Sequence, residues 1–155
     1  MSEKPGIVTV YFQLMKLRVV ILLQITAICA IIAHDLMVRS ESISGDRTWT
    51  DTLEACIVTL VGGTLAAGGS NAINMVYDRD IDPGMSRTRT RPIPNGWISS
   101  NHALVFGTII ALVGSAVFIP YHWKAAFWSL FSVLFYVFIY TCLLYTSPSP
   151  RDRSL

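Results

Sequence analysis

Four apolar blocks constrain this chain more than any other feature. They run from about Val19 to Ala33, Leu53 to Ile73, Ala103 to Pro120 and Ala125 to Leu144. Within each, the apolar residues are contiguous and not spread at the spacing of an amphipathic surface helix. Three approach the roughly 20 residues a helix needs to cross the hydrocarbon of a bilayer. The first is shorter, but Lys16 and Arg18 can snorkel at one end and Leu36 to Val38 extend the other. Only 14% of the 155 residues are charged, against about a quarter in an ordinary soluble domain. The expected fold is all-α: a multi-pass transmembrane bundle with helices over about 17–38, 53–74, 103–120 and 125–144, embedded in the lipid bilayer. Residues 1–15 are expected to be a short tail leading into the first helix. No nucleic-acid partner is expected.

The charges between the blocks alternate. Lys4, Lys16 and Arg18 precede the first block, and Arg79, Arg87, Arg89 and Arg91 lie between the second and third. Between the first and second, Arg39 and Arg47 are outweighed by Asp35, Glu41, Asp46 and Asp51; between the third and fourth there is only Lys124. Cytoplasmic loops of membrane proteins carry the excess of Lys and Arg. This places the N-terminus and the Asn71–Asn101 loop in the cytoplasm, with the protein in the cell membrane. Trp49, Trp97, Trp123 and Tyr121 fall near the expected boundaries, as an aromatic belt would. "AHDLMVRSES" after the first block offers no small-residue cleavage site, so no cleaved signal peptide is expected. Cys29, Cys56 and Cys142 lie in apolar blocks without CxxC spacing and read as packing residues.

Two segments depart from this pattern. "VGGTLAAGGSNAIN" crowds Gly62, Gly63, Ala66, Ala67, Gly68, Gly69 and Ser70 into the second helix. Small residues let transmembrane helices approach closely, so the end of this helix should lie inside the bundle. "NAINMVYDRDIDPGMSRTRTRPIP" follows, with three aspartates and four arginines in a chain otherwise poor in charge. Pro83 is expected to stop the helix. "RPIPNG" reads as an extended proline segment ending in an Asn-Gly turn. Ser99, Ser100 and Asn101 are candidate caps for the third helix, and the tight "PYHWK" link makes helices three and four an antiparallel hairpin. The terminal "CLLYTSPSPRDRSL" breaks off the fourth helix in mid-flow, so residues 142–155 are expected to be a non-native or disordered tail.

Asn74, Asp78 and Asp82 are spaced i, i+4, i+8 and so would share one helical face, with Asn71 near the same line and Asp80 opposite. Two carboxylates and an amide are hard oxygen donors, which suit Mg2+. A magnesium ion held by few carboxylates completes its shell with water and substrate phosphates. Arg87, Arg89 and Arg91 follow directly, and guanidinium groups grip phosphate oxygens in a bidentate way. The pattern fits a magnesium diphosphate at the cytoplasmic surface with an apolar tail among the helices. An EF-hand calcium loop would need Gly and Glu where Pro83 and Arg89 stand. A solvated charged loop and a lipid-headgroup surface account less well for the register, since interleaved aspartates weaken lipid binding. His34, His102 and His122 lie at helix ends without paired spacing and read as interfacial polar groups. His102 lies on the aspartate side.

"NMVYDRDID" matches the NxxxDxxxD pattern of the UbiA-type intramembrane prenyltransferases, and the chain resembles that family. "DRDIDPGMSRTRTRPIPNG" resembles its haem-modifying farnesyltransferase branch. "LMKLRVVILL" is similar to the family's first-helix "LTKPRV", with Leu17 where proline is common. The resemblance covers about Phe12 to Thr141. It implies a bundle of about nine helices with two aspartate-rich motifs across a central cavity, of which this chain would be the N-terminal part, residues 1–141, and inactive alone. It implies farnesyl transfer from farnesyl diphosphate to a vinyl group of haem B, with water added, to give haem O. Asn74, Asp78 and Asp82 would hold the metal and act in catalysis. Arg79, Arg87, Arg91 and, more weakly, Lys16 would bind diphosphate. Asn71 would support them, Asp80 would face solvent, and His102 would be the best placed of the three histidines for haem ligation. Haem A synthase or oxidase-assembly proteins would be downstream partners. The alternatives are a quinone-precursor or chlorophyll-type acceptor within the same family, or a non-catalytic membrane subunit or transporter fragment.

Overall fold

The computed structural model describes residues 5–40, 43–80, 82 and 91–140. These residues form helices α1 (Ile7–Met15), α2 (Leu17–Arg39), α3 (Trp49–Tyr77), α4 (Ser100–Ala116) and α5 (Trp123–Phe135). A 3-10 turn, Asp78–Asp80, extends α3, and a π-helical turn, Tyr136–Tyr140, extends α5. There is no strand among the described residues. The expected all-α bundle is therefore present, but with five helices where four were expected. The added helix is α1. Its Val10, Leu14 and Met15 are buried, so "IVTVYFQLM" is drawn onto α3 and is not a loose tail.

Helices α2 and α3 are long and apolar enough to cross a bilayer, whereas α4 and the described part of α5 are shorter apolar helices. Large hydrophobic side chains such as Leu22, Ile25, Leu53, Val105 and Trp128 are exposed along the bundle. That pattern suits a lipid surround.

Helix α3 is the axis, touching α1, α2, α4 and α5. It spans 29 residues, about 43 Å at 1.5 Å per residue. Its broadest contact is with α4, where Gly62, Ala66 and Gly69 meet Gly107, Ala111 and Gly114. The small-residue stripe thus serves close helix approach, as its composition suggested. Helix α5 returns alongside α4, with Ser115 and Ser129 hydroxyls 3.1 Å apart, so the expected hairpin forms. Ser99 caps α4, accepting from the His102 N–H at 3.3 Å.

The start of α3 carries a capping box. Thr48 Oγ1 accepts from the Asp51 N–H at 3.3 Å, and Asp51 Oδ2 accepts from the Thr48 N–H at 2.7 Å. Thr48→Ala should lower stability by about 1 kcal/mol. Thermal unfolding of the detergent-solubilised protein checks this; an unchanged midpoint would mean that α3 is held by its neighbours alone. Beside the cap lies Asp35, counted from sequence among the loop charges but found 2% exposed inside α2. Its carboxylate accepts from Thr52 Oγ1 at 2.7 Å and lies 3.1 Å from Arg47 Nε and 2.9 Å from His34 Nδ1. Arg47 also donates to Tyr121 Oη at 3.1 Å, which ties the α2–α3 and α4–α5 connections together. A buried carboxylate persists only when so compensated.

Candidate functional site

The opposite end of α3 gathers the other charged cluster. A helix C-terminus presents unsatisfied carbonyls and the negative end of the helix dipole. Placing Asp78, Asp80 and Asp82 there is unfavourable unless cations answer them. The α-helix ends at Tyr77, earlier than the i, i+4, i+8 argument required, and Asp78–Asp80 tighten into a 3-10 turn. One α-helical face therefore does not carry all three motif residues. Asp78 and Asp82 are nonetheless brought together, through a cation that both of them face.

That cation is Arg91. Its Nη1 donates to Asp82 Oδ1 at 2.8 Å and Oδ2 at 3.0 Å, and reaches Asp78 Oδ2 at 3.4 Å. The Asp82 and Asp78 side chains are only 3% and 13% exposed. Asn74, one turn back on α3, donates to Asp78 Oδ2 at 2.8 Å. The second oxygen of Asp78, Oδ1, is buried with no hydrogen-bond partner among the described residues. A buried carboxylate oxygen left so is costly and is a natural position for an added ligand to act.

Local structure fixes where Arg91 starts. From sequence, "RPIPNG" was read as an extended segment ending in an Asn-Gly turn; the turn is present, but the segment before it is wound and not extended. The Trp97 N–H donates to the Pro92 carbonyl at 3.0 Å and the Gly96 N–H to Ile93 at 3.0 Å. Gly96 takes φ +68°. This is the Schellman pattern, which a residue without Cβ adopts most easily. Asn95 Nδ2 also donates to the Arg91 carbonyl at 3.0 Å. Pro92 is fully buried and Ile93 packs on the core formed by Leu14, Met75 and Ala103, so the Arg91 backbone is anchored.

Lys16 reaches the cluster by a different route. It is the elbow between α1 and α2, in the left-handed conformation with φ 50°. Asn71 Nδ2 donates to the carbonyl of the preceding Met15 at 3.0 Å, in a buried position. Asn71 thus holds the elbow, and Lys16 lies within electrostatic reach of Asp78. The remaining predicted residues are placed otherwise. Arg79 is half exposed and turned to the exposed Asp80 at 3.4 Å, outside the carboxylate pair. Arg87 and Arg89 lie outside the described residues. His102 Nε2 is 3.1 Å from Tyr11 Oη, at the same end of the bundle. Tyr11 escaped the sequence reading because residues 1–15 were read as a tail; the Asn-Gly turn was read, but not the winding of Pro92–Trp97 that precedes it.

Among the described residues no three His, Cys, Asp or Glu side chains converge as a metal cage. The chain's own donors to a cation here would be two carboxylates and an amide. Below the cluster, between α2, α3 and α5, lies a cavity of about 450 Å³. Its wall runs from Asn71 and Tyr136 down to Gly63 and Ser129, about 12 Å along α3 at 1.5 Å per residue.

A match to the UbiA prenyltransferase family spans residues 44–150. The chain belongs to the UbiA prenyltransferase family. The match runs past Thr141, where the motif-based resemblance stopped. Several relatives carry the name protoheme IX farnesyltransferase. That of Rippkaea orientalis is 38% identical over 139 residues, 89% of this chain and 39% of the relative. That of Frankia alni is 40% identical over 132 residues, 84% of this chain and 42% of the relative. That of Streptomyces coelicolor is 46% identical over 93 residues, 59% of this chain and 30% of the relative. The chain thus spans about two fifths or less of these relatives. No solved structure matches it.

Proposed function

We propose that the full-length protein transfers a farnesyl group from farnesyl diphosphate to a vinyl group of haem B, and that Asp78, Asp82 and Asn74 serve the diphosphate end. The observation that carries this reading is the convergence of the buried Asp82 and the partly buried Asp78, whose Oδ1 is buried and unpartnered, upon the Arg91 guanidinium beside an apolar cavity. Relatives at 37–46% identity bearing the farnesyltransferase name support the choice of donor and acceptor.

These residues fit Mg2+. The donors are hard oxygens, and they are too few to fill an octahedral shell, so water and phosphate would complete it. When bound, magnesium neutralises the diphosphate as it departs. Asp78 and Asp82 would hold it, with Asn74 orienting Asp78. Arg91, Lys16 and, from the undescribed segment, Arg87 would add positive charge toward the diphosphate oxygens; Arg79 would take part only by leaving Asp80. The cavity below would take the apolar tail out of water.

The chemistry balances as follows. The farnesyl C1–O bond breaks and its electron pair leaves with the diphosphate. The vinyl π pair forms the new C–C bond, and the resulting cation takes the oxygen of a water, which loses a proton. Fixed positive charge at the departing oxygens and a dry apolar wall around the allylic cation favour the first steps. The basic end of the bundle would face the cytoplasm, with the protein in the cell membrane.

Membranes carrying the full-length protein, supplied with farnesyl diphosphate and haem B, should form haem O. Consumption of farnesyl diphosphate without haem O would keep the transferase and change the acceptor. No consumption by a folded protein would overturn the reading.

A further inference from the structure

We propose that Arg91 is an internal counter-cation which closes the aspartate pair until a diphosphate draws it away, so that metal and diphosphate bind cooperatively. The inference deepens the metal–diphosphate reading of the site and rests on it.

The Arg91 Nη1 lies 2.8 and 3.0 Å from the two oxygens of Asp82 and 3.4 Å from Asp78 Oδ2. It therefore stands on the ground between the carboxylates that a divalent cation would need. The site is largely buried, where screening by water is weak. Guanidinium and dication would repel each other there, so the two compete for the same pair. With Arg91 in place the negative end of α3 is already answered, and a metal ion arriving alone must displace it.

A diphosphate reverses this balance. It offers the planar guanidinium bidentate phosphate oxygens. The move requires no backbone rearrangement, because the buried Pro92 and the Gly96 turn hold the chain on one side of Arg91. A side-chain rotation of Arg91 would carry its charge from the aspartates to the phosphates and leave the carboxylates to the metal. Asp78 Oδ1, buried and unpartnered, marks the position that the guanidinium leaves unfilled. The coupling is reciprocal by linkage: diphosphate tightens metal binding by the same factor as metal tightens diphosphate binding. A benefit follows for an enzyme at a membrane surface, since the aspartates would not trap stray divalent cations between turnovers.

The test uses the full-length protein in detergent, with Mn2+ as the metal probe read by electron paramagnetic resonance and inorganic pyrophosphate as the second ligand. Native protein should bind free Mn2+ weakly alone and about tenfold or more tightly with pyrophosphate, within the usual range of such couplings. Arg91→Gln should bind Mn2+ alone about tenfold more tightly than native, with most of the coupling gone. Arg91→Lys, which keeps the charge but not the fork, should fall between and serves if Arg91→Gln does not fold. Mn2+ binding that is unchanged or weakened in both variants would overturn the counter-cation role. Mn2+ binding that Asp78→Asn with Asp82→Asn leaves intact would instead remove the metal reading itself, and this proposal with it.

Discussion

Asp78→Asn and Asp82→Asn, made separately in the full-length protein, should each lower kcat for farnesyl transfer by at least 10²- to 10³-fold, the scale of losing one electrostatic group at a departing charge. The substitution is nearly isosteric, so packing against Asn74 and the 3-10 turn is retained. What is lost is one unit of negative charge in a site where Asp82 is 3% and Asp78 13% exposed. Asp80→Asn is the internal comparison. Asp80 is 76% exposed and faces Arg79, so its neutralisation should change kcat less than about threefold, as for surface charges generally. Steady-state kinetics of the three variants, with helicity compared by circular dichroism, checks the assignment. Equal losses in all three would show that only the net charge of the loop matters. No loss in Asp78→Asn or Asp82→Asn would leave the cluster as a structural ion pair.

The second large effect concerns the scaffold. Gly114→Leu should destabilise the bundle by about 3 kcal/mol or more, at the upper end of overpacking costs. A Cβ there would meet the backbone nitrogen of Ala66, the Gly62 carbonyl oxygen at 2.7 Å and Leu65 Cβ at 2.8 Å. These are main-chain and near-main-chain atoms of α3 that cannot step aside as a flexible side chain can. The α3–α4 contact would have to open, and with it the alignment of Asp78 above the cavity. Gly6→Ala is the control, since nothing lies within 4 Å of a Cβ at Gly6. Thermal unfolding in detergent should show a clear drop for Gly114→Leu and little change for Gly6→Ala. A Gly114→Leu protein of native stability would mean that α3 and α4 pack less closely than the structure has them.

The contrast between the two experiments follows the chain's own division of labour. The glycine and alanine stripe of α3 sets how near α4 can come, and the residues at its end use the resulting position. A scaffold variant should therefore lose stability and activity together, whereas an aspartate variant should lose activity alone.

The sequence by itself determined the class of fold and supplied the donor set on which the proposed chemistry of the cluster rests. Contiguous apolar blocks leave a chain few alternatives to helices in lipid, because backbone groups there must pair internally. Asn74, Asp78 and Asp82, being hard oxygen donors next to arginines, are the basis in sequence for the metal–diphosphate proposal. The glycines foretold the close crossing that α3 and α4 make. Tertiary structure decided what local pattern could not. The helical-face argument placed the three motif residues on one line, yet α3 ends at Tyr77 and the aspartates meet instead through Arg91. That contact bridges a segment whose path no periodicity encodes. Residues 1–15 were read as a tail, yet Ile7–Met15 is helical; nine residues seldom hold a helix alone, and burial against α3 is what makes α1. Asp35 looked like a solvated loop charge until Thr52, His34 and Arg47, from across the fold, closed around it. Spacing fixes which side chains are available and on which face of a helix they begin. Which cation answers which carboxylate is settled only by long-range packing, since the energy of a charge depends on neighbours that sequence distance does not specify.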